Sequence, residues 1–129
     1  MLDTNIISDL VRNPQGKAAA RIAKVGEGNV CTSIIVAAEL HYGCAKSGSS
    51  RLQKAVEELL GEMDVLPFDV PADAEYGAIR VRLEAAGRPI GSNDLLIAAH
   101  AYAVGATIVT ANTGEFKRVR GLKVENWLV

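Results

Sequence analysis

Val30-Cys31-Thr32-Ser33-Ile34-Ile35-Val36-Ala37-Ala38-Glu39-Leu40 decides how the chain is read. Val30-Cys31-Thr32 has the length and character of a short buried strand. Ser33 has the side chain to cap a helix that carries Glu39 on its second turn and runs to about Lys46. A lone carboxylate among Ile34-Ile35-Val36-Ala37-Ala38 and Leu40 is costly to bury unpaired, so Glu39 calls for partners.

The same strand-then-helix alternation extends in both directions. Met1-Leu2 reads as the end of a first strand, followed by a helix from Thr4 or Asn5 to Arg12 that Asn13-Pro14 stops. Only two residues precede Asp3, so either the sheet receives a stub or a few residues precede this start. Lys17 to Val25 has helical spacing and ends at Gly26-Glu27-Gly28. Downstream, Leu52, Val56, Leu59, Leu60 and Met63 form an apolar helical stripe, and Val65-Leu66-Pro67-Phe68 a strand that its proline assigns to an edge or terminus. A second stripe runs through Ala72, Tyr76, Ile79, Leu83 and Ala86. After Arg88-Pro89-Ile90-Gly91, Ser92 or Asn93 caps a helix to Val104, and Thr107-Ile108-Val109-Thr110 is a β-branched buried strand. A loop from Ala111 to Phe116 follows, with Val124 and Trp127-Leu128 as a last strand. Helices alternating with short apolar strands specify an α/β fold with a parallel sheet covered on both faces.

Composition bounds the function. The 129 residues suit one domain, and 49% hydrophobic with 22% charged residues is ordinary for a globular chain. No stretch approaches the roughly 18 apolar residues of a membrane span, and the N-terminus lacks a signal-like segment, so no membrane partner and a cytoplasmic location are expected. Cys31 and Cys44 lack metal-ligand spacing and read as reduced thiols. His41 and His100 read as ordinary helix residues. A net charge of −1 gives no bulk attraction for nucleic acid. The charge is nonetheless segregated: no Lys or Arg lies between Ala55 and Ile79, whereas Lys117, Arg118, Arg120 and Lys123 crowd the C-terminus.

In an open parallel sheet, ligands bind outside the carboxyl ends of the strands. Asp3 follows the first strand, Glu39 rides the helix after the second, Asp94 starts a helix, and Asn112 and Glu115 follow the strand ending at Thr110. Taken singly, Asp3 reads as a helix cap, Asp94 as a first-turn residue, Glu39 as a salt-bridged side chain and Glu115 as a surface charge. Taken together they form an acidic cluster, which must protonate or share a cation, and hard oxygen donors suit Mg²⁺ or Mn²⁺.

With Leu2-Asp3-Thr4-Asn5, Thr32-Ser33, Glu39-Leu40 and Gly43, Ile90-Gly91-Ser92-Asn93-Asp94 with Ile97-Ala98-Ala99, and Thr110-Ala111-Asn112-Thr113-Gly114-Glu115-Phe116, the chain resembles the PIN-domain ribonucleases, and within them the VapC toxins. The resemblance covers essentially all of residues 1–129, which it implies to be a single three-layer α/β/α nuclease domain with a short-stranded, mainly parallel central sheet. It further implies a homodimer and a metal-dependent endoribonuclease, the toxin of a type II toxin–antitoxin pair with a VapB-like antitoxin, cutting a specific RNA such as tRNA or rRNA. Asp3, Glu39 and Asp94 match the family's principal acids and would bind one or two Mg²⁺ or Mn²⁺ ions. Many relatives carry a further Asp after the fourth strand. Here Asn112 stands near that place, with a supporting role, and Glu115 is an accessory acid. Thr4, Asn5 and Ser92 would steady the ligands, and Lys46, Arg88, Lys117 and Arg118 are candidates for RNA phosphates. Two rivals remain: a degenerate PIN-like module that binds RNA or protein without cleaving, and a haloacid-dehalogenase-like phosphatase, which wants an Asp where Asn5 stands.

Overall fold

A computed structural model describes residues 1–129. Its elements are α1 (Thr4–Arg12), α2 (Lys17–Val25), a 3-10 turn (Glu27–Asn29), β1 (Cys31–Ser33), α3 (Ile34–Ser47), α4 (Ser50–Gly61), β2 (Asp64–Leu66), α5 (Ala72–Ala85), α6 (Ser92–Val104), β3 (Ile108–Val109), α7 (Thr113–Phe116) and β4 (Val124–Glu125). β1 pairs in parallel with β2, and β3 in parallel with β4. Leu2 forms a parallel bridge to Thr32 on one side and to Val109 on the other. The sheet order is therefore β2, β1, Leu2, β3, β4, with a single residue at its centre.

Hydrogen bonds secure that residue. Leu2 N–H donates to the Cys31 carbonyl at 2.8 Å, Asp3 N–H to Val109 at 2.9 Å, and Val109 N–H to Met1 at 2.8 Å. The Thr32 hydroxyl donates to the Leu2 carbonyl at 2.7 Å, and the terminal ammonium to the Thr107 carbonyl at 2.8 Å. Leu2 is thus stitched to its neighbours on both edges. Neighbouring strand residues point to opposite faces, yet Ile108 and Val109 are both buried, so helices cover the sheet on both sides.

Helix α1 buries Ile6, Ile7 and Leu10 and packs against α2, α3 and α4. Helix α6 packs against α5, α3, α7 and β1, and its buried residues run from Leu95 through Ile97-Ala98-Ala99-His100-Ala101. A helix enclosed on several sides must be apolar nearly all round, and its small alanines let neighbours approach closely. His100 is the exception: Nδ1 lies 2.7 Å from Ser33 Oγ, which also accepts from Ile35 N–H as the cap of α3. His100 therefore ties α6 to the start of α3, while His41 is exposed.

Several boundaries differ from the sequence expectation for local reasons. β1 lies one residue later than Val30-Cys31-Thr32. β2 ends at Leu66, because Pro67 has no N–H to continue the ladder. Gly91, with no side-chain cap bond, precedes α6, so neither Ser92 nor Asn93 caps it. The expected loop between Ala111 and Phe116 contains the single turn α7, pinned by the fully buried Phe116. The last strand stops at Glu125; Trp127 is buried outside it, its Nε1 donating to Glu125 at 2.9 Å. Both cysteines are free thiols, and no helix is long and apolar enough to cross a membrane.

Leu2 is completely buried between two half-sheets. Leu2→Ala is expected to cost about 2–5 kcal/mol, whereas Val81→Ala, at an exposed position, should stay within roughly 0.5 kcal/mol. Urea unfolding of the two variants checks the contrast.

Candidate active site

Leu2 delivers Asp3 to the carboxyl end of the sheet, between β1 and β3. There the Asp3 side chain is only 3% exposed. Its Oδ1 accepts from Thr4 N–H at 2.8 Å, and its Oδ2 accepts from the Thr110 hydroxyl at 2.8 Å and from Asn5 Nδ2 at 3.3 Å. Asn5 Oδ1 accepts from Ala111 N–H at 2.9 Å, and Thr110 Oγ1 from Asn112 N–H at 2.9 Å. The start of α1 is thereby sewn to the segment between β3 and α7. Burial pushes the Asp3 carboxyl above its ordinary range, the bonds from Thr110 and Thr4 pull it back, and the charge of Glu39 pushes it up again.

Glu39 reaches the same end from α3. Its Oε1 accepts from the Thr4 hydroxyl at 2.7 Å and its Oε2 from Asn93 Nδ2 at 3.3 Å. Those are the partners its apolar helix requires. Thr4 serves Glu39 through its hydroxyl while its N–H serves Asp3, so one residue braces two acids.

On the other flank, Asp94 sits in the first turn of α6. Asn112 Nδ2 donates to Asp94 Oδ2 at 3.0 Å and to Glu115 Oε2 at 2.7 Å. Burial, a proton shared with Glu115 and the nearby Asp3 charge push Asp94 up to about 7. Glu115 moves down, mainly because protonated Asp94 donates to it, with Asn112, the Gly91 backbone and the Arg118 charge adding to the effect against slight burial. Glu115 is thus part of the acidic cluster, and Asn112 clamps it to Asp94.

The structure brings Asp3, Glu39, Asp94, Asn112, Glu115, Thr4 and Asn5 to one end of the sheet. Ser92 makes no side-chain hydrogen bond and faces a recess lined with Tyr76 and Arg80. Lys46 lies at the far end of α3, its ammonium 6.0 Å from the Tyr42 ring, away from the acids. Lys117 is exposed beyond α7. Arg88 and Arg118 share a recess with Arg82 and Arg120. Sequence reading missed Thr110 as an acid partner, and left Asn93 open between helix cap and support for the acids, which its bond to Glu39 resolves. Thr110 ends a buried strand with a hydroxyl, a polar group that needs a partner, and that signal was available.

The donor set fits a hard divalent cation: carboxylate oxygens crowded until one holds a proton near neutrality. No three His, Cys, Asp or Glu side chains are arranged to grip one ion by themselves. Asp3, Glu39 and Asp94 therefore do not form the three-carboxylate grip expected of them, and an ion such as Mg²⁺, usually held by one or two carboxylates, would complete its shell with water. Asp3 is the central acid, with Glu39 on one flank and the Asp94–Glu115 pair on the other.

Known proteins share the sequence and the fold of this chain. The PIN domain family matches residues 1–122. The chain is 41% identical to the tRNA(fMet)-specific endonuclease VapC of Shigella flexneri, over 98% of this chain and 96% of that protein. The fold superposes on the VapBC2 complex of Rickettsia felis bound to a promoter DNA fragment with a TM-score of 0.90 at 36% identity, covering 98% of this chain and 97% of the other. DNA-bound VapBC of Salmonella typhimurium gives a TM-score of 0.90 at 35% identity, covering 98% and 96%.

The crowding predicts a pH signature in chelator. The folded pKa of Asp94 lies above its ordinary 3.8. The stability associated with its proton is therefore fully present below that ordinary value and is lost as pH rises through about 7. Asp94→Asn should melt higher than wild type at pH 8 in EDTA, with the gap shrinking toward pH 5. Equal slopes in thermal melts would show that Asp94 titrates normally.

Proposed function

Because the chain belongs to the PIN-domain family and, within it, to the VapC ribonucleases, we propose that residues 1–129 act as one Mg²⁺- or Mn²⁺-dependent endoribonuclease unit, the toxin of a toxin–antitoxin pair. The observation that carries this reading is the convergence of Asp3, Glu39 and Asp94 on one end of the sheet, with Asp94 pushed up to about 7 by burial and by its acidic neighbours. Asp3 and Asp94 are the residues to hold the ion, and Glu39 is the third acid. When bound, the ion supplies a water activated at neutral pH and a counter-charge for the phosphate under attack.

The chain's own residues do the rest. Thr110, Asn5 and the Thr4 N–H fix the orientation of Asp3, and Thr4 and Asn93 fix Glu39. Asn112 holds Asp94 and Glu115 together through its amide, which fixes the orientation of both carboxyls. No serine, cysteine or histidine nucleophile is required. The phosphatase rival loses its second aspartate to Asn5, whose amide instead supports Asp3.

The Shigella flexneri relative is named for tRNA(fMet), so tRNA is the first substrate to test, with rRNA next. The Rickettsia felis and Salmonella typhimurium relatives are seen as VapBC complexes, which supports a VapB-like antitoxin as partner; a homodimer acting in the cytoplasm, where RNA is found, completes the proposal.

Asp3→Asn, Asp94→Asn and Glu39→Gln should each lower RNA cleavage by about 100-fold or more, several kcal/mol of transition-state stabilisation, and excess EDTA should abolish it. Cleavage persisting in chelator would overturn the metal mechanism, and full activity in Asp94→Asn its assignment to Asp94. Thr110→Val keeps every acid but removes a donor to Asp3 and should cost roughly 10–100-fold in metal affinity or activity, read by Mn²⁺ titration of the cleavage rate.

A further inference from the structure

Four of the protein's arginines line one cavity of about 330 Å³: Arg82 from α5, Arg88 from the segment before α6, and Arg118 and Arg120 beyond α7. Their floor is apolar, including Ile79 and Leu83, and no acid lines the space. The protein's ion pairs, Arg21–Glu125 and Arg80–Glu84, involve none of the four. Arg118 donates through Nη1 to the Pro89 carbonyl at 2.9 Å, yet its Nε is buried without a partner. Arg82 donates through Nε only to the Ala78 carbonyl, at 3.3 Å. Guanidinium forks facing one cavity, with donors to spare, repel one another and offer paired N–H groups of the geometry that phosphate accepts.

The position of the cavity indicates which phosphate. Arg118 N–H donates to the Glu115 carbonyl at 3.1 Å, Glu115 is clamped through Asn112 to Asp94, and Pro89, which Arg118 holds, leads into α6. The basic cavity therefore adjoins the Asp94 flank of the acids and not the Glu39 flank. A polyanion entering the acidic end is repelled there, and the net charge of −1 gives no general attraction. Concentrated cations beside the acids are what an RNA strand requires.

We propose that Arg82, Arg88, Arg118 and Arg120 form a phosphate-binding subsite that grips the RNA backbone beside the scissile bond on the Asp94 side. This rests on the ribonuclease reading above and adds to it the side of the site along which the strand runs. Arg88 and Arg118 were legible as candidates; Arg82 and Arg120 join them only through the packing of α5 against the segment after α7.

The test uses the full chain and its Arg82→Gln/Arg120→Gln double variant, both residues lying outside the acidic cluster. With bulk bacterial tRNA as substrate, the variant should raise KM by about tenfold with kcat little changed, and its log KM against log salt should flatten by roughly 1.4, the slope of two single-strand phosphate contacts. Cleavage of an oligonucleotide too short to reach the cavity should be unaffected. An unchanged KM and salt slope would overturn the proposal. So would unchanged RNA behaviour with weakened binding of the purified antitoxin, which would give the cavity to an acidic peptide. If wild type cleaves nothing, the ribonuclease reading has failed separately. Gel-shift binding of the same tRNA by the two proteins in EDTA then decides the subsite, equal affinities refuting it and loss in the variant supporting it.

Discussion

Everything at the acidic end depends on one residue of strand. Leu2 bridges β1 and β3 at once, and the hydrogen bonds on its two edges leave Asp3 no freedom of placement. The position of the carboxylate is set by the two bridges and by Asp3's own three donors. The cost is concentrated: a carboxylate is buried at the one point where the half-sheets meet, and those donors offset its lost hydration.

The second constraint is crowding. Burial, the neighbouring Glu115 and the charge of Asp3 all push the Asp94 carboxyl up, while Glu115 is held down. Such an arrangement is tolerable in the free protein only while a proton stands in for a cation, and it is responsive to ligand charge for the same reason. The amide of Asn112 adds no negative charge to the cluster and forms a polar clamp between two of its acids.

The acids and the arginines adjoin where Arg118 meets Glu115. The carboxylates gather where strands end, and the arginines gather where α5 meets the segment after α7. Neither group neutralises the other apart from the influence of Arg118 on Glu115. Unpaired charge of both signs, held side by side, is a poor device for stability, since exposed ion pairs contribute little and these are not even formed. It suits a ligand that brings phosphate and a cation together.

Much was decided by local chemistry that a sequence displays. Apolar periodicity and glycine or proline stops located every helix longer than one turn, because such a helix must bury a stripe whatever it packs against. The acids Asp3, Glu39 and Asp94 stood out because charged residues beside buried apolar runs need an explanation. Their partners did not stand out. Thr110 looked like a strand end, Asn93 stood between a helix cap and a support for the acids, and Lys46 looked as well placed for RNA as Arg88. Only the tertiary structure assigned them, since hydrogen-bond partners 54 and 107 residues away in the chain are chosen by how α6 and β3 pack. The same holds for Arg82, which belongs with Arg120 because two distant segments close one cavity. Periodicity records which way a side chain faces, and packing alone determines what it meets there.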